Sequence, residues 1–145
     1  MKNKKTIFLA TISLVLFYAG YLVSTPSMES PAPTKYELKI KKIGNVWKVV
    51  DSNNKTKVHV KGGAKITWTA EGSDVVFQFP SQKYLKPQGK VDSLSRDNTK
   101  KIRNGKKLKL KITEDAKQDT IVYSVFVLKD GVYAEGGSPP RIIID

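Results

Sequence analysis

The chain has 145 residues, and its 26 Lys and Arg against 13 Asp and Glu give a formal net charge of +13. It contains no cysteine and one histidine, His59. Disulfides, thiolate metal sites, a cysteine nucleophile and any site that needs two imidazoles are therefore excluded. A positive charge of this size attracts nucleic acid, anionic lipid, acidic polysaccharide or acidic protein, although a solvated lysine surface that maintains solubility is the alternative.

The N-terminus has the composition of an export segment. Residues 1–5 carry three lysines, and Ile7 to Val23 follow as 17 uncharged residues. That length suits a short spanning helix, and no good small-x-small cleavage site follows it. We expect residues 1–23 to form an uncleaved membrane anchor, with a cleaved signal peptide as the alternative.

The lysines of this segment are expected to stay on the cytoplasmic side, so that the rest of the chain is exported. The predicted location is the cell membrane with an extracytoplasmic domain, or a secreted or periplasmic protein if the leader is cleaved. Residues 24–34, STPSMESPAPT, have the proline-rich and polar composition of an extended linker. Residues 35–145 are predicted to form one domain with 26 − 3 = 23 basic and 13 − 1 = 12 acidic residues.

The stretch from Val58 to Pro80 predicts three consecutive strands. Alternation with a period of two places Ile66, Trp68 and Ala70 on one face of the middle strand, and Val75, Phe77 and Phe79 on one face of the next. Trp68, Phe77 and Phe79 are expected to supply the bulkiest packing of the core.

Further strands are predicted on both sides of this stretch by alternation or apolar runs. They cover Tyr36–Lys41, Val46–Val50, Lys106–Ile112, Ile121–Leu128, Val132–Ala134 and Arg141–Ile144, while the first strand of the stretch itself covers Lys57–Val60. Residues 81–104 are predicted to be irregular, pinned to the domain by Tyr84, Leu85 and Leu94. About eight short strands without an amphipathic helix predict an all-β Greek-key sandwich or barrel, with one N-terminal hydrophobic helix.

Two segments carry a family resemblance. Gly63–Trp68 followed by Glu71–Phe77, and the late strand Tyr123–Asp130, resemble the corresponding strands and loops of cupredoxins. The resemblance implies a cupredoxin-like domain in which Asp74 and Asp130 stand in place of the copper-binding histidines and Val127 in place of the cysteine. A type 1 copper centre needs two histidines and a thiolate, so no metal or other cofactor is expected.

Asp74 and Asp130 are the remaining candidates for chemistry. If they lie at one end of the barrel, they could bind a hard cation weakly or act as acid and base. Their Ser-Asp and Asp-Gly contexts favour a structural role in turns instead. No nucleophile–base pair, phosphate-binding glycine loop or metalloprotease helix is found in the sequence, so we predict a protein that is not an enzyme.

The candidate binding residues are lysines that alternate with apolar residues. Lys107, Lys109 and Lys111 share one face of a strand, and Lys39 and Lys41 would join them if the two strands share a sheet face. An anion-binding role is the functional hypothesis, and protection of a sheet edge against aggregation is the alternative.

The sequence therefore predicts an exported, non-catalytic interaction module whose partner is an anionic envelope polymer, a lipid surface or an acidic protein. The alternative function is a metal-free accessory subunit of a redox or electron-transfer complex. Nucleic acid, for which Trp47 or Tyr84 would offer stacking surfaces, is disfavoured by export.

Overall fold

Twelve strands and one turn of 3-10 helix, Lys90–Asp92, are found in the computed structural model, which describes residues 34–135 and 139–145. No helix in these ranges has the length and apolar character needed to cross a membrane. The predicted anchor and all of the predicted linker except Thr34 lie outside the described residues. The strands are β1 (Lys35–Ile43), β2 (Val46–Val50), β3 (Lys57–Val60), β4 (Lys65–Ala70), β5 (Val75–Gln78), β6 (Leu85–Pro87), β7 (Thr99–Ile102), β8 (Lys107–Ile112), β9 (Asp119–Val122), β10 (Ser124–Val127), β11 (Val132–Tyr133) and β12 (Arg141–Ile144).

The first layer is a five-stranded sheet in the order β2-β1-β4-β8-β6. β1 runs parallel to β4, and the other neighbours in this sheet are antiparallel. β3 lies between β2 and β4 in sequence but pairs with β12 outside this sheet. The chain thus leaves the first layer after β2 and returns to it at β4, which is how a parallel pair arises in a sheet of short connections.

The second layer consists of two ladders, β3-β12-β9 and β11-β10-β5-β7. Tyr123 alone separates β9 from β10, so one continuous run of chain belongs to both ladders. β9 pairs with β12, whereas β10 pairs with β5 and β11. At Tyr123, where the chain passes from one ladder to the other, the backbone amide donates to the carbonyl of Pro140 at 3.2 Å.

An aromatic cluster fills the space between the layers. Trp68 on β4 contacts Phe77, Phe79 and Tyr123 edge-to-face, with ring centroids 5.8 to 5.9 Å apart. All four side chains are buried. Burying a large aromatic ring contributes a few kcal/mol, and edge-to-face pairs add to that. The prediction that Trp68, Phe77 and Phe79 form the bulkiest part of the core is confirmed.

The structure confirms the all-β Greek-key sandwich and corrects its details. The described residues contain twelve strands, whereas nine strand segments were predicted, because the predicted Ile121–Leu128 strand divides at Tyr123 and two strands were missed. β6 and β7 lie in residues 81–104, where the prediction of an irregular segment without strands is wrong. Both are short and carry polar or charged residues that hide the alternation, so only their backbone pairing with β8 and β5 identifies them. Tyr84, Leu85 and Leu94 pin this segment as predicted.

Candidate anion-binding face

The outward face of the first sheet carries nine lysines, which we call the lysine face. Residues that pair directly on neighbouring strands share a face, and alternate residues along a strand do the same. Lys39 on β1, Thr69 on β4 and Lys107 on β8 lie in one such row, because β4 pairs with both other strands. The lysine face consists of Lys35, Lys39, Lys41, Lys48, Lys65, Lys86, Lys107, Lys109 and Lys111.

One row of this face consists of lysines alone. Lys35 pairs with Lys65, Lys65 with Lys111, and Lys111 with Lys86, across four neighbouring strands. At about 4.8 Å between strands, the four-lysine row spans roughly 14 Å. Like charges placed directly opposite each other destabilise a sheet. The row therefore concentrates positive charge where it costs stability.

Between this row and the row of Lys39 and Lys107 lies a shallow depression of about 310 Å³. Four lysines, one acid and two neutral polar side chains line it, namely Lys35, Lys65, Lys107, Lys109, Glu37, Thr67 and Gln88. Ammonium groups, a hydroxyl and an amide are all able to donate hydrogen bonds to anionic oxygens. The depression is thus suited to phosphate, sulfate or carboxylate groups.

Two of the five predicted lysines are partly neutralised by acids. Lys39 Nζ lies 2.7 Å from Glu71 Oε1, and its pKa is raised by that hydrogen bond and by the charge of Glu71. Lys111 Nζ lies 2.8 Å from Glu114 Oε1, and hydrogen bonding and charge from Lys111 lower the pKa of Glu114.

Lys41, Lys107 and Lys109 form no ion pair with another described residue. Lys41 pairs with Lys48 on β2 and lies beyond the last paired residue of β4. The structure thus brings all five predicted lysines onto one sheet face. It leaves Lys107 and Lys109 as its most available charges.

The prediction that the β8 lysines protect a sheet edge is wrong, because β8 is paired on both sides. β6 covers residues 110–112 of its far side. Beyond β6, the backbone amide of Gln88 donates to the carbonyl of Lys109 at 3.1 Å, and its side-chain amide donates to the carbonyl of Leu110 at 2.9 Å. The buried carboxylate of Asp92 accepts the amide N–H of Lys109 at 2.9 Å.

Sequence reasoning missed four members of this face, namely Lys48 on β2 and three residues of the four-lysine row, Lys35, Lys65 and Lys86. The three row residues stand at or next to a strand terminus, where alternation gives little signal. Only the register across β1, β4, β8 and β6 places them beside Lys111. No pattern within a single strand contains that register.

The two acids aligned with copper ligands serve the turns at one end of the sandwich. Asp74 Oδ1 accepts the amide N–H of Asn104 at 2.9 Å, and the carbonyl of Asp74 accepts the amide of Leu128 at 3.0 Å. Asp130 Oδ2 accepts Lys42 Nζ at 2.8 Å and Trp47 Nε1 at 2.7 Å. These donors, Lys42 first, lower the pKa of Asp130.

Val127, the residue aligned with the cysteine, is buried on β10. His59 is exposed on β3, with Nδ1 3.2 Å from Asp145 Oδ2. In residues 34–135 and 139–145, no three His, Asp or Glu side chains form a group suited to a metal ion.

Neither predicted stacking residue offers a ring to a nucleic-acid base. Trp47 is buried, and its Nε1 is engaged with Asp130. Tyr84 is half-buried against the core, and Lys83 Nζ lies 4.4 Å from the centre of its ring.

The chain matches no protein-family model, and no curated protein matches it. Solved structures of amicyanin mutants are similar at low identity. An oxidized mutant is 12% identical over 82% of this chain and 88% of its own, with a TM-score of 0.42. A Cu(I) mutant is 13% identical over 77% of this chain and 82% of its own, with a TM-score of 0.41.

Proposed function

We propose that this protein is an exported, membrane-tethered interaction module that binds an anionic partner of the cell envelope through the lysine face. The main observation in support of this proposal is the placement of nine lysines on one sheet face around a polar depression. Export and tethering come from the apolar segment Ile7 to Val23, and the domain works outside the cytoplasm.

The cost of the arrangement supports a binding role. Lysines directly opposite one another repel, and a neutral residue at Lys65 or Lys86 would remove that repulsion. Lys107 and Lys109 border the depression without an ion pair to any described residue. Charges held close together without counter-ions bind a multivalent anion by releasing the small ions that surround it.

We further propose that the protein functions without bound copper and does not catalyse a reaction. Val127 faces the core, the carboxylate of Asp74 accepts a hydrogen bond from a neighbouring loop, and that of Asp130 accepts one from Lys42 on β1. Loading the full chain with copper tests this part. Stoichiometric copper with intense visible absorption would contradict it, whereas weak colourless binding at His59 and carboxylates would not.

The binding proposal is tested with the full chain in neutral detergent and inorganic polyphosphate as the probe. Replacing Lys107 and Lys109 together with Gln removes two unpaired charges from the centre of the lysine face. We expect weaker binding. We also expect the slope of log K against log salt to become shallower by about 0.9 for each engaged lysine, which is the value for B-DNA.

Lys57 and Lys129 supply the matched control. Both are exposed and lie outside the lysine face, so K57Q/K129Q removes the same charge from elsewhere. The control should leave the salt slope near that of the unmodified chain. Equal losses of polyphosphate affinity in the two double variants would show that net charge alone governs binding. No loss of affinity in either variant would show that the lysine face does not bind the anion.

A further inference from the structure

We propose that the sandwich end bearing the four-lysine row (Lys35, Lys65, Lys111 and Lys86) rests on the anionic lipid headgroups of the membrane that anchors the chain. This inference rests on the proposed function and names the partner of one part of the lysine face. The remainder of the face, centred on Lys107 and Lys109, stays available to other anions.

The row lies where the chain enters the domain. Lys35 is the first residue of β1, and the amide of Lys65 donates to the carbonyl of Thr34 at 2.9 Å. Only residues 24–34 separate this point from the predicted anchor. Eleven residues reach about 34 Å as a polyproline II chain, and less if they are compact. The tether therefore keeps this end close to the lipid surface and raises its effective concentration there.

Further exposed lysines lie in the turns at the same end. Lys61 precedes β4 and Lys117 follows β8, and both are exposed. Two acids lie in these turns: Glu114 already forms an ion pair with Lys111, and Asp115 is exposed. A lysine near an anionic bilayer raises affinity roughly five-fold, within a Debye length of the surface. Several lysines together give a contact that depends on both salt and lipid charge.

Among the residues that the structure describes, this end has no exposed large hydrophobic side chain that would insert into the bilayer. The exposed large hydrophobic residues of the described chain lie outside the turns 61–64, 80–84 and 113–118 that form it. They are Ile43, Val46, Val91, Val122, Leu128, Val132 and Tyr133. The contact is consequently with headgroups alone, which is why lipid charge should control it.

The absence of cysteine allows a direct test with single labels on the full chain in nanodiscs. Gln118→Cys places a fluorophore in the exposed turn after β8, and Asn45→Cys places one in the turn between β1 and β2, at the opposite end. Quenching by paramagnetic headgroup lipids then reports which end approaches the membrane. We expect anionic discs to quench the label at position 118 more strongly than neutral discs, with little change at position 45.

Charge variants complete the test. K35Q/K65Q/K86Q should reduce quenching at position 118 in anionic discs to the neutral level, as should 1 M salt, where the Debye length is about 3 Å. K90Q/K106Q/K129Q removes the same charge from exposed positions away from the row and should leave quenching intact. Unmodified circular dichroism in each variant shows that the fold is kept.

Equal quenching at position 118 in neutral and anionic discs would overturn the membrane inference. If K107Q/K109Q still weakened polyphosphate binding, the partner would be a soluble polyanion and the proposed function would stand. If polyphosphate binding were also insensitive to the lysine face, the proposed function would fail with it.

Discussion

A single buried hydrogen bond orders the aromatic cluster between the layers. Trp68 Nε1 donates to Tyr123 Oη at 2.9 Å, and both side chains are buried. Burial raises the pKa of the Tyr123 hydroxyl, because the phenolate would be desolvated. The hydroxyl therefore stays protonated at neutral pH, and it serves as the acceptor for the indole.

Tyr123→Phe should destabilise the domain by about 1–3 kcal/mol, because it leaves the indole N–H buried without an acceptor. Urea unfolding followed by circular dichroism measures the change. Tyr133→Phe is the matched control, since Tyr133 is exposed and a surface hydroxyl contributes within about 0.5 kcal/mol. Equal effects of the two substitutions would show that the buried hydrogen bond is not a stabilising contact.

Asp130 predicts a pH dependence of stability. Its pKa in the folded chain is lowered from 3.8 by hydrogen bonds from Lys42 and Trp47, so the folded state favours the ionised carboxylate. This stabilisation is fully present above the unfolded pKa and is lost as the pH falls through the folded pKa.

Asp130→Asn should therefore be less stable than the unmodified chain near pH 7, and the difference should shrink below about pH 4 as the carboxylate takes up a proton. Thermal unfolding at a series of pH values measures it. Glu37→Gln is the control, because Glu37 forms no hydrogen bond or ion pair in the described structure. Its difference in stability from the unmodified chain should change less with pH. A difference for Asp130→Asn that stays constant down to pH 2 would contradict the assignment.

At the scale of the elements, the segment from β6 to the 3-10 turn completes the far side of β8. Gln88 and Asp92 supply side-chain groups where strand pairing ends. Asp92→Ala leaves the amide of Lys109 without its acceptor and should cost about 1–3 kcal/mol. Hydrogen exchange at the Lys109 amide should accelerate, and Asp92→Asn, which retains a carbonyl acceptor, should restore much of the protection. Unchanged exchange in Asp92→Ala would show that this contact does not protect the strand.

The elements that sequence predicted well are those whose alternation reports burial. In β4 the inward residues Ile66, Trp68 and Ala70 are buried, while the residues between them are partly exposed. β6 and β7 escaped prediction because backbone pairing holds them, with few apolar side chains of their own. Local pattern therefore identified the strands that build the core and missed those that extend its sheets.

At the scale of the whole molecule, the two outer surfaces differ in character. The first sheet presents the lysine face, whereas the second presents Phe126 and Tyr133 in edge-to-face contact at 5.1 Å. Within the candidate site, the sequence alone predicted the alternating lysines of β1 and β8. It could not predict the four-lysine row, because the register between strands depends on contacts between residues distant along the chain.

Repulsion within the four-lysine row predicts that Lys65→Gln stabilises the domain at low salt by a few tenths of a kcal/mol. Lys65 pairs directly with Lys35 and Lys111, so its charge meets two others. Unfolding in 20 mM and 500 mM NaCl should show the gain at low salt and its loss at high salt, where exposed charges are screened. Destabilisation by Lys65→Gln at both salt concentrations would contradict the repulsion.

Amide chemical shifts of the isotopically labelled full chain, titrated with inorganic polyphosphate, show directly whether the lysine face binds anions. We expect changes concentrated on Thr67, Lys107 and Lys109 of the lysine face, with Gln78 and Ile143 on the second layer unaffected. Changes spread evenly over both layers, or confined to the second, would contradict this expectation.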